Sequence, residues 1–265
     1  MNITDKLKSV KNKRATKELT VTSAFNLTPN MRRITLQGTA LSSFPKDAEG
    51  AYIKLLFSQL GNIKPTMRTY TVAQQRYELN EIDVDFMLHN NSLDHGIAAS
   101  WSRSVQVGEE ISIAGPGPAN FINSEAEYFF LAGDMTALPA LAANLKRLPK
   151  NARGQVFIEI LSEADQQNLI KPENIEIHWI VNDNPGADES PLFDIIKQAE
   201  LPIVLPHGKL AAWVACEFKT MKKIRQYLKF ELGVEKSHLY VSSYWKKGNT
   251  EEQHKVVKQQ DAKQT

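Results

Sequence analysis

Hydrophobic and polar positions alternate with a period of two through much of the first half of the chain. In "IDVDFML" (82–88) Ile82, Val84, Phe86 and Leu88 fall on one face, and Asp83, Asp85 and Met87 on the other. "MRRITLQ" (31–37), "AYIKLLF" (51–57), "RTYTVAQ" (68–74) and "ISIAG" (111–115) alternate likewise or are rich in β-branched and aromatic residues. Turn residues at Pro45, Gly50, Gly61, Pro65, Asn90-Asn91 and Gly108 separate these runs. One short helix interrupts them, opening near Gly96 and running through "IAASWSRS". Many short strands with a single helix predict an antiparallel barrel, whose closure removes exposed sheet edges.

Past the Gly- and Pro-rich stretch "GPGPANFINSEAE" (115–127) the period changes. "YFFLAG" (128–133) is a nearly continuous apolar run, as a strand buried on both faces requires. It leads into "MTALPALAANLKRL", where Leu138, Leu141, Leu145 and Leu148 recur at helical spacing. "QVFIEI" (155–160) and "IEIHWIV" (175–181) read as strands and "PLFDIIKQA" as a helix. "AAWVAC" (211–216), the long helical "EFKTMKKIRQYLKFEL" (217–232) and "HLYVSS" (238–243) complete the series. Alternation of this kind builds a parallel sheet of Rossmann type. The expected class is therefore β followed by α/β, with a barrel domain over 1–122 and an α/β domain over 123–265. Residues 1–18 read as a basic extension and the polar stretch after Gly248 as a frayed tail.

Composition narrows the chemistry more than the fold. Of 265 residues, 42% are hydrophobic and 23% charged, a globular balance, and the formal charge of +2 gives no case for nucleic acid. Cys216 is the only cysteine, which excludes an intrachain disulfide, a four-cysteine zinc site and an iron–sulfur cluster held by this chain alone. The early Lys6, Lys8, Lys11, Lys13, Arg14 and Lys17 precede no apolar signal region, and no run reaches the ~18 apolar residues of a membrane span. The expected location is the cytoplasm.

Two stretches hold candidate chemistry. Arg68-Thr69-Tyr70-Thr71 offers a guanidinium fork suited to pyrophosphate, a flat ring and a hydroxyl. Taken alone, it fits an ordinary strand better than a site. Because Arg68 and Tyr70 share a face and Thr71 takes the other, joint contact with one ligand predicts a bend or bulge at Thr71, or contact through its backbone N–H. "DVDFMLHNNSLDHGIAASW" then places Asp85 and His89 about a strand end and opens a helix with the small residues Ala98, Ala99 and Ser100, a good anion site. Trp101 covers an adenine or packs in the core.

In order, "RTYT", "DFMLH…GIAASW", "AGPGP", "AGDMTALPAL", "WVACE" and "YWKKG" resemble the siderophore-interacting protein family, over about residues 20 to 250. These are FAD-dependent ferric-siderophore reductases related to ferredoxin–NADP reductases. The resemblance implies an FAD-binding barrel and an NAD(P)H-binding α/β domain. It implies FAD contacts from Arg68, Thr69, Tyr70, Thr71, Asp85, Met87, His89, Ala98, Ser100 and Trp101, with Tyr244 and Trp245 beside the flavin. It gives Gly133, Asp134, Thr136 and Ala137 to the turn where nicotinamide meets flavin, and Glu159, Ser162, Glu163 and Glu217 to the nucleotide. The family's usual Glu is Met135 here, Cys216 stands for a Gly, and Ile97 for a common Pro.

No Arg or Lys follows Glu159, Glu163 and Asp165 before Lys171, which leans toward NADH over NADPH, although Lys222, Lys223 or Arg225 could still supply a cation. Lys46, Lys246 and Lys247 are candidates for drawing in an anionic ferric siderophore. No metal site in the protein is expected, since the iron arrives with the substrate. Alternatives kept open are a general flavin reductase, a ferredoxin-linked reductase using the lysine-rich helix 219–229, and a non-catalytic siderophore carrier.

Overall fold

The structure, a computed structural model, describes residues 16–58, 64–88, 96–186, 190–199, 201 and 209–263. The chain divides into two units, Met1–Ala119 and Asn120–Thr265. Among the described residues of the first, six strands close a barrel: β1 (Lys17–Thr28), β2 (Met31–Gln37), β3 (Tyr52–Phe57), β4 (Thr66–Arg76), β5 (Glu81–Met87) and β6 (Glu110–Ala114). Their order is β1–β2–β5–β4–β3–β6, and every neighbouring pair is antiparallel. Ile34, Leu36, Ile53, Leu55, Val72, Ile82, Val84 and Phe86 fill the interior, as the alternation requires. Helix α1 (Ile97–Ser104) packs Ile97, Ala98 and Trp101 against that core.

Strand β1 was not legible in the sequence. Its register against β2 shifts between Val21 and Ser23 and again between Asn26 and Thr28, so the two-residue period is broken twice. On the barrel's outer face the polar side of β5 is neutralised by charge. Arg76 grips Asp83 with both guanidinium arms (2.6 and 2.9 Å) and donates to Glu81 at 2.7 Å. Burial raises the Asp83 carboxyl, but the hydrogen bonds from Arg76 and Thr35 outweigh it and hold the group below the usual range.

Five parallel strands make the sheet described in the second unit: β7 (Tyr128–Asp134), β8 (Gly154–Ile160), β9 (Ile175–Val181), β10 (Leu210–Glu217) and β11 (Leu239–Trp245), in the order β11–β10–β7–β8–β9. The chain runs outward from β7 to β9 and returns on the other side of β7, so the order reverses between β7 and β10. Crevices at the carboxyl ends of strands form at such a reversal. Helices α2 (Leu138–Arg147), α3 (Pro191–Gln198) and α4 (Phe218–Gln226) accompany the sheet. The helical run expected to reach 232 leaves α-geometry after Gln226 for a π-helical turn, Tyr227–Glu231. Among the described residues, no helix is long and apolar enough to cross a membrane.

The stretch after Gly248 is not a frayed tail. It forms α5 (Glu251–Ala262), opened by a reciprocal capping box between Thr250 and Gln253. Asp261 receives both arms of Arg225 on α4 (2.6 and 2.8 Å), and Lys258 donates to the backbone oxygen of Ser243 on edge strand β11 (2.9 Å). His254 lies buried between the Ser243 hydroxyl (2.8 Å) and the Phe218 ring. Burial above all, with the Lys258 and Lys246 ammonium groups beside it and Glu251 opposing, lowers its pKa to about 4. The released helix therefore binds the extra proton, so docking that is intact above pH 6.5 weakens as the pH falls toward about 4. Amide exchange in α5 is expected to rise on the order of tenfold at pH 5 relative to pH 7, after correction for intrinsic rates. His254→Gln should flatten that dependence, and an equal slope in both proteins would refute it.

Candidate functional site

Strand β4 distributes its polar residues between two faces. Tyr70 packs on Phe86 inside the barrel (ring centroids 4.4 Å apart), and Arg68 pairs with the buried Leu55 on that same inner face. The Arg68 guanidinium donates to the Met67 carbonyl at 2.7 Å. Thr69 and Thr71 point outward, where the Lys54 ammonium donates to the Thr69 hydroxyl. The register against β3 runs regularly through Tyr52↔Thr71, so no bend lies at Thr71. The irregularity falls between Val72 and Gln74, on the β5 side. Since the Val72 N–H donates to the carbonyl of Ala51, just before β3, the N–H of Thr71 is directed to the opposite side of the strand.

Asp85 is not an open acceptor. Its carboxylate receives both arms of Arg33 on β2 (2.7 and 2.8 Å), and burial raises its pKa while that pair partly offsets the shift. Asp85 therefore fixes the Arg33 fork, a partner 52 residues away that no spacing rule could identify. Met87 is half-buried opposite Met31. Trp101 meets Phe57 edge-on (5.8 Å) and tilts over Phe86 (5.6 Å), so its ring is part of the barrel packing. Ala98 is buried there too, whereas Ser100 is exposed. His89 lies outside the described residues.

The amino end of α1 suits an anion. Gly96 provides no capping side chain, and among the described residues nothing lies within 4 Å of where a Cβ would stand there. Backbone N–H groups without a side-chain cap at a helix start match the phosphate end of FAD. On these observations the barrel's residues fit the cofactor.

In the second unit the carboxyl edge of the sheet carries a row of buried acids. Asp134 and Glu159 are paired in register on β7 and β8, and Glu217 ends β10. Asp134 accepts from the Thr136 N–H and hydroxyl (2.9 and 2.5 Å), the Glu217 N–H (3.0 Å) and the Trp245 indole N–H (2.7 Å). Burial pushes its pKa up and those bonds partly restore it. Gly133 is obligatory beneath this turn, because a Cβ would stand 2.8 Å from the Ala215 carbonyl oxygen. Ala137 is buried at the start of α2, which lacks a capping side chain.

The acids in and after β8 separate. Glu159 accepts from the Ser190 hydroxyl (2.6 Å), with burial raising its pKa. Asp165 closes a capping box with Ser162. Glu163 alone of the three faces solvent. Glu217 caps α4, accepting from the Lys219 and Thr220 N–H groups (2.5 and 3.3 Å). Met135 is only 1% exposed, which suits methionine better than a carboxylate. Cys216 packs in the core, its thiol pushed well up by burial, so its extra bulk sits within the packing.

Tyr244 and Trp245 have different partners. Tyr244 stands edge-on to Trp213, while Trp245 is held by Asp134 and rests on Gly186, where a Cβ would come within 2.8 Å of the indole. Lys247 donates from its N–H to Glu217 (3.4 Å) and from its ammonium to Asn184 (3.2 Å). Gly186, after β9, thus meets Trp245 and Asn184 meets Lys247, and nothing in their local sequence marked them. Lys246 lies over the Phe218 ring (5.1 Å), and Lys46, in the first unit, over Tyr77 (5.4 Å).

Comparison with known proteins adds names to this geometry. Residues 20–63 and 59–120 match the model of a siderophore-interacting FAD-binding domain, and residues 126–248 that of siderophore-interacting proteins. The ferric vibriobactin reductase ViuB of Vibrio cholerae is 33% identical over 240 residues, covering 84% of this chain and 86% of that protein. An NADPH-dependent ferric-chelate reductase of Escherichia coli is 24% identical, covering 89% and 95% respectively. The siderophore-interacting protein SipS of Aeromonas hydrophila superposes with a TM-score of 0.79 at 29% identity, over 93% of this chain and 99% of that one. The chain belongs to the siderophore-interacting protein family and is an FAD-dependent oxidoreductase.

Proposed function

We propose that the chain is a cytoplasmic ferric-siderophore reductase that takes electrons from NADH and releases iron as Fe(II). The reading is carried by the likeness to ViuB, named a ferric vibriobactin reductase, over most of both chains. Bound FAD supplies the conversion between a two-electron donor and a one-electron acceptor. In this reading residues 1–122 bind FAD and 123–265 bind the nucleotide. Arg68 and the amino end of α1 hold the pyrophosphate, and Thr71 reaches the ring edge through its N–H. Tyr70 supports the site through its packing on Phe86.

In the second unit, Asp134 orients the turn at Thr136 and Ala137, and exposed Glu163 receives the ribose hydroxyls. Lys46, Lys246 and Lys247 draw in the anionic ferric complex. Weak binding of Fe(II) by hard oxygen ligands makes reduction equivalent to release, so no side-chain acid or base is required.

Anaerobic addition of NADH is expected to bleach the yellow protein faster than equal NADPH, and ferric siderophore should then restore the colour. A bleached sample that stays bleached with siderophore would sink the proposal. Bleaching by reduced ferredoxin but by neither nucleotide would identify the ferredoxin-linked alternative. A colourless preparation would favour a carrier.

A further inference from the structure

We propose that Tyr52 is a further FAD-binding residue, with its ring laid against the isoalloxazine on the outer face of β3 and β4, and that Gly117 sets its position. The inference rests on the FAD-dependent reading above and assigns a role to the "GPGP" stretch.

Ile53 and Leu55 are fully buried in the barrel, so Tyr52 and Lys54 point outward. The register places Tyr52 beside Thr71 and Lys54 beside Thr69, and the Lys54–Thr69 hydrogen bond shows that these pairs share the outer face. A phenol ring, two hydroxyls and an ammonium group thus form one patch. An isoalloxazine has a flat face for the ring and carbonyl oxygens and ring nitrogens for the donors. Tyr70, the aromatic residue singled out in the sequence, is packed against Phe86 on the inner face.

A lone exposed tyrosine would ordinarily mean nothing. Tyr52, however, is 38% exposed and held in place. The Gly117 N–H donates to the Tyr52 carbonyl at 2.8 Å. A Cβ on Gly117 would stand 2.0, 2.2 and 2.5 Å from the ring atoms Cζ, Cε1 and Cε2. Only a glycine lets the chain lie this close, and the contact removes rotamer freedom that an aromatic binding surface would otherwise lose on meeting its ligand. Residue 117 has no left-handed φ, so alanine fits the backbone there and displaces the ring instead.

The test follows FAD release from the full-length holoprotein on dilution, together with the emission of the flavin still bound. Tyr52→Leu and Gly117→Ala are expected to weaken FAD binding about tenfold and to brighten bound flavin, since a quenching ring is lost or moved. Tyr52→Phe should restore both, and with FAD removed all three should melt within about 2 °C of the FAD-free parent. The proposal is overturned if Tyr52→Leu keeps parental affinity, or if affinity falls with emission unchanged. A parent protein with no bound flavin would instead bring down the FAD reading itself.

Discussion

Gly154→Ala is expected to lower the melting temperature of the second unit by about 10 °C or more, followed by circular dichroism. Gly154 opens β8, paired with Phe129 of β7, and its N–H reaches the Asn174 carbonyl at 3.2 Å. An added Cβ would stand 1.9 Å from the Phe129 carbonyl oxygen and 2.8 Å from its carbon. These are backbone atoms, so no side-chain rotation relieves the overlap and the β7–β8 ladder must part. Overpacking of a core side chain costs about 1–3 kcal/mol, and a clash with the backbone of a central strand belongs at or above the top of that range. Gly96→Ala is the control, because among the described residues nothing lies within 4 Å of its Cβ position, and its melting should match the parent. Equal melting of both variants would refute the close approach.

Asp134→Ala should destabilise the second unit by about 3 kcal/mol and shift Trp245 emission. The substitution strands the N–H groups of Thr136 and Glu217 and the indole N–H of Trp245. Each orphaned buried donor costs about 1–3 kcal/mol, offset in part because the buried carboxylate's own desolvation disappears. Asp134→Asn keeps one acceptor oxygen and should fall between parent and alanine. Chemical denaturation and tryptophan fluorescence read the two effects separately. An alanine variant with parental stability and emission would show that Asp134 does not tie these strand ends together. Loss of NADH-dependent bleaching alongside both would link the turn to donor binding.

What the sequence displayed was periodicity, and what it hid was direction. "IDVDFML" announced a half-buried strand because nothing interrupts its alternation, and the ladder through Val84 and Phe86 follows it. Strand β1 escaped notice because its two register shifts scramble the same signal. Helix α5 escaped because its surface is polar, although Thr250 and Gln253 spelled out its cap. At the site, order along the chain named residues without their orientations. The sequence named Asp85 without the Arg33 fork that takes both its oxygens, and Tyr244 and Trp245 without their separate partners, Trp213 and Asp134. The position of Tyr52 depended on Gly117, a contact across 65 positions that only folding creates.

Cys216 carries a practical consequence. The one thiol of the chain is sealed in a hydrophobic core with its ionisation suppressed, so maleimide reagents will find nothing to modify in the native protein. The natural sequence can therefore serve as an unreactive background for dye attachment. A cysteine placed at exposed Val107 and another at exposed Ile170 would mark the two units separately, and energy transfer between the dyes would report their separation during turnover.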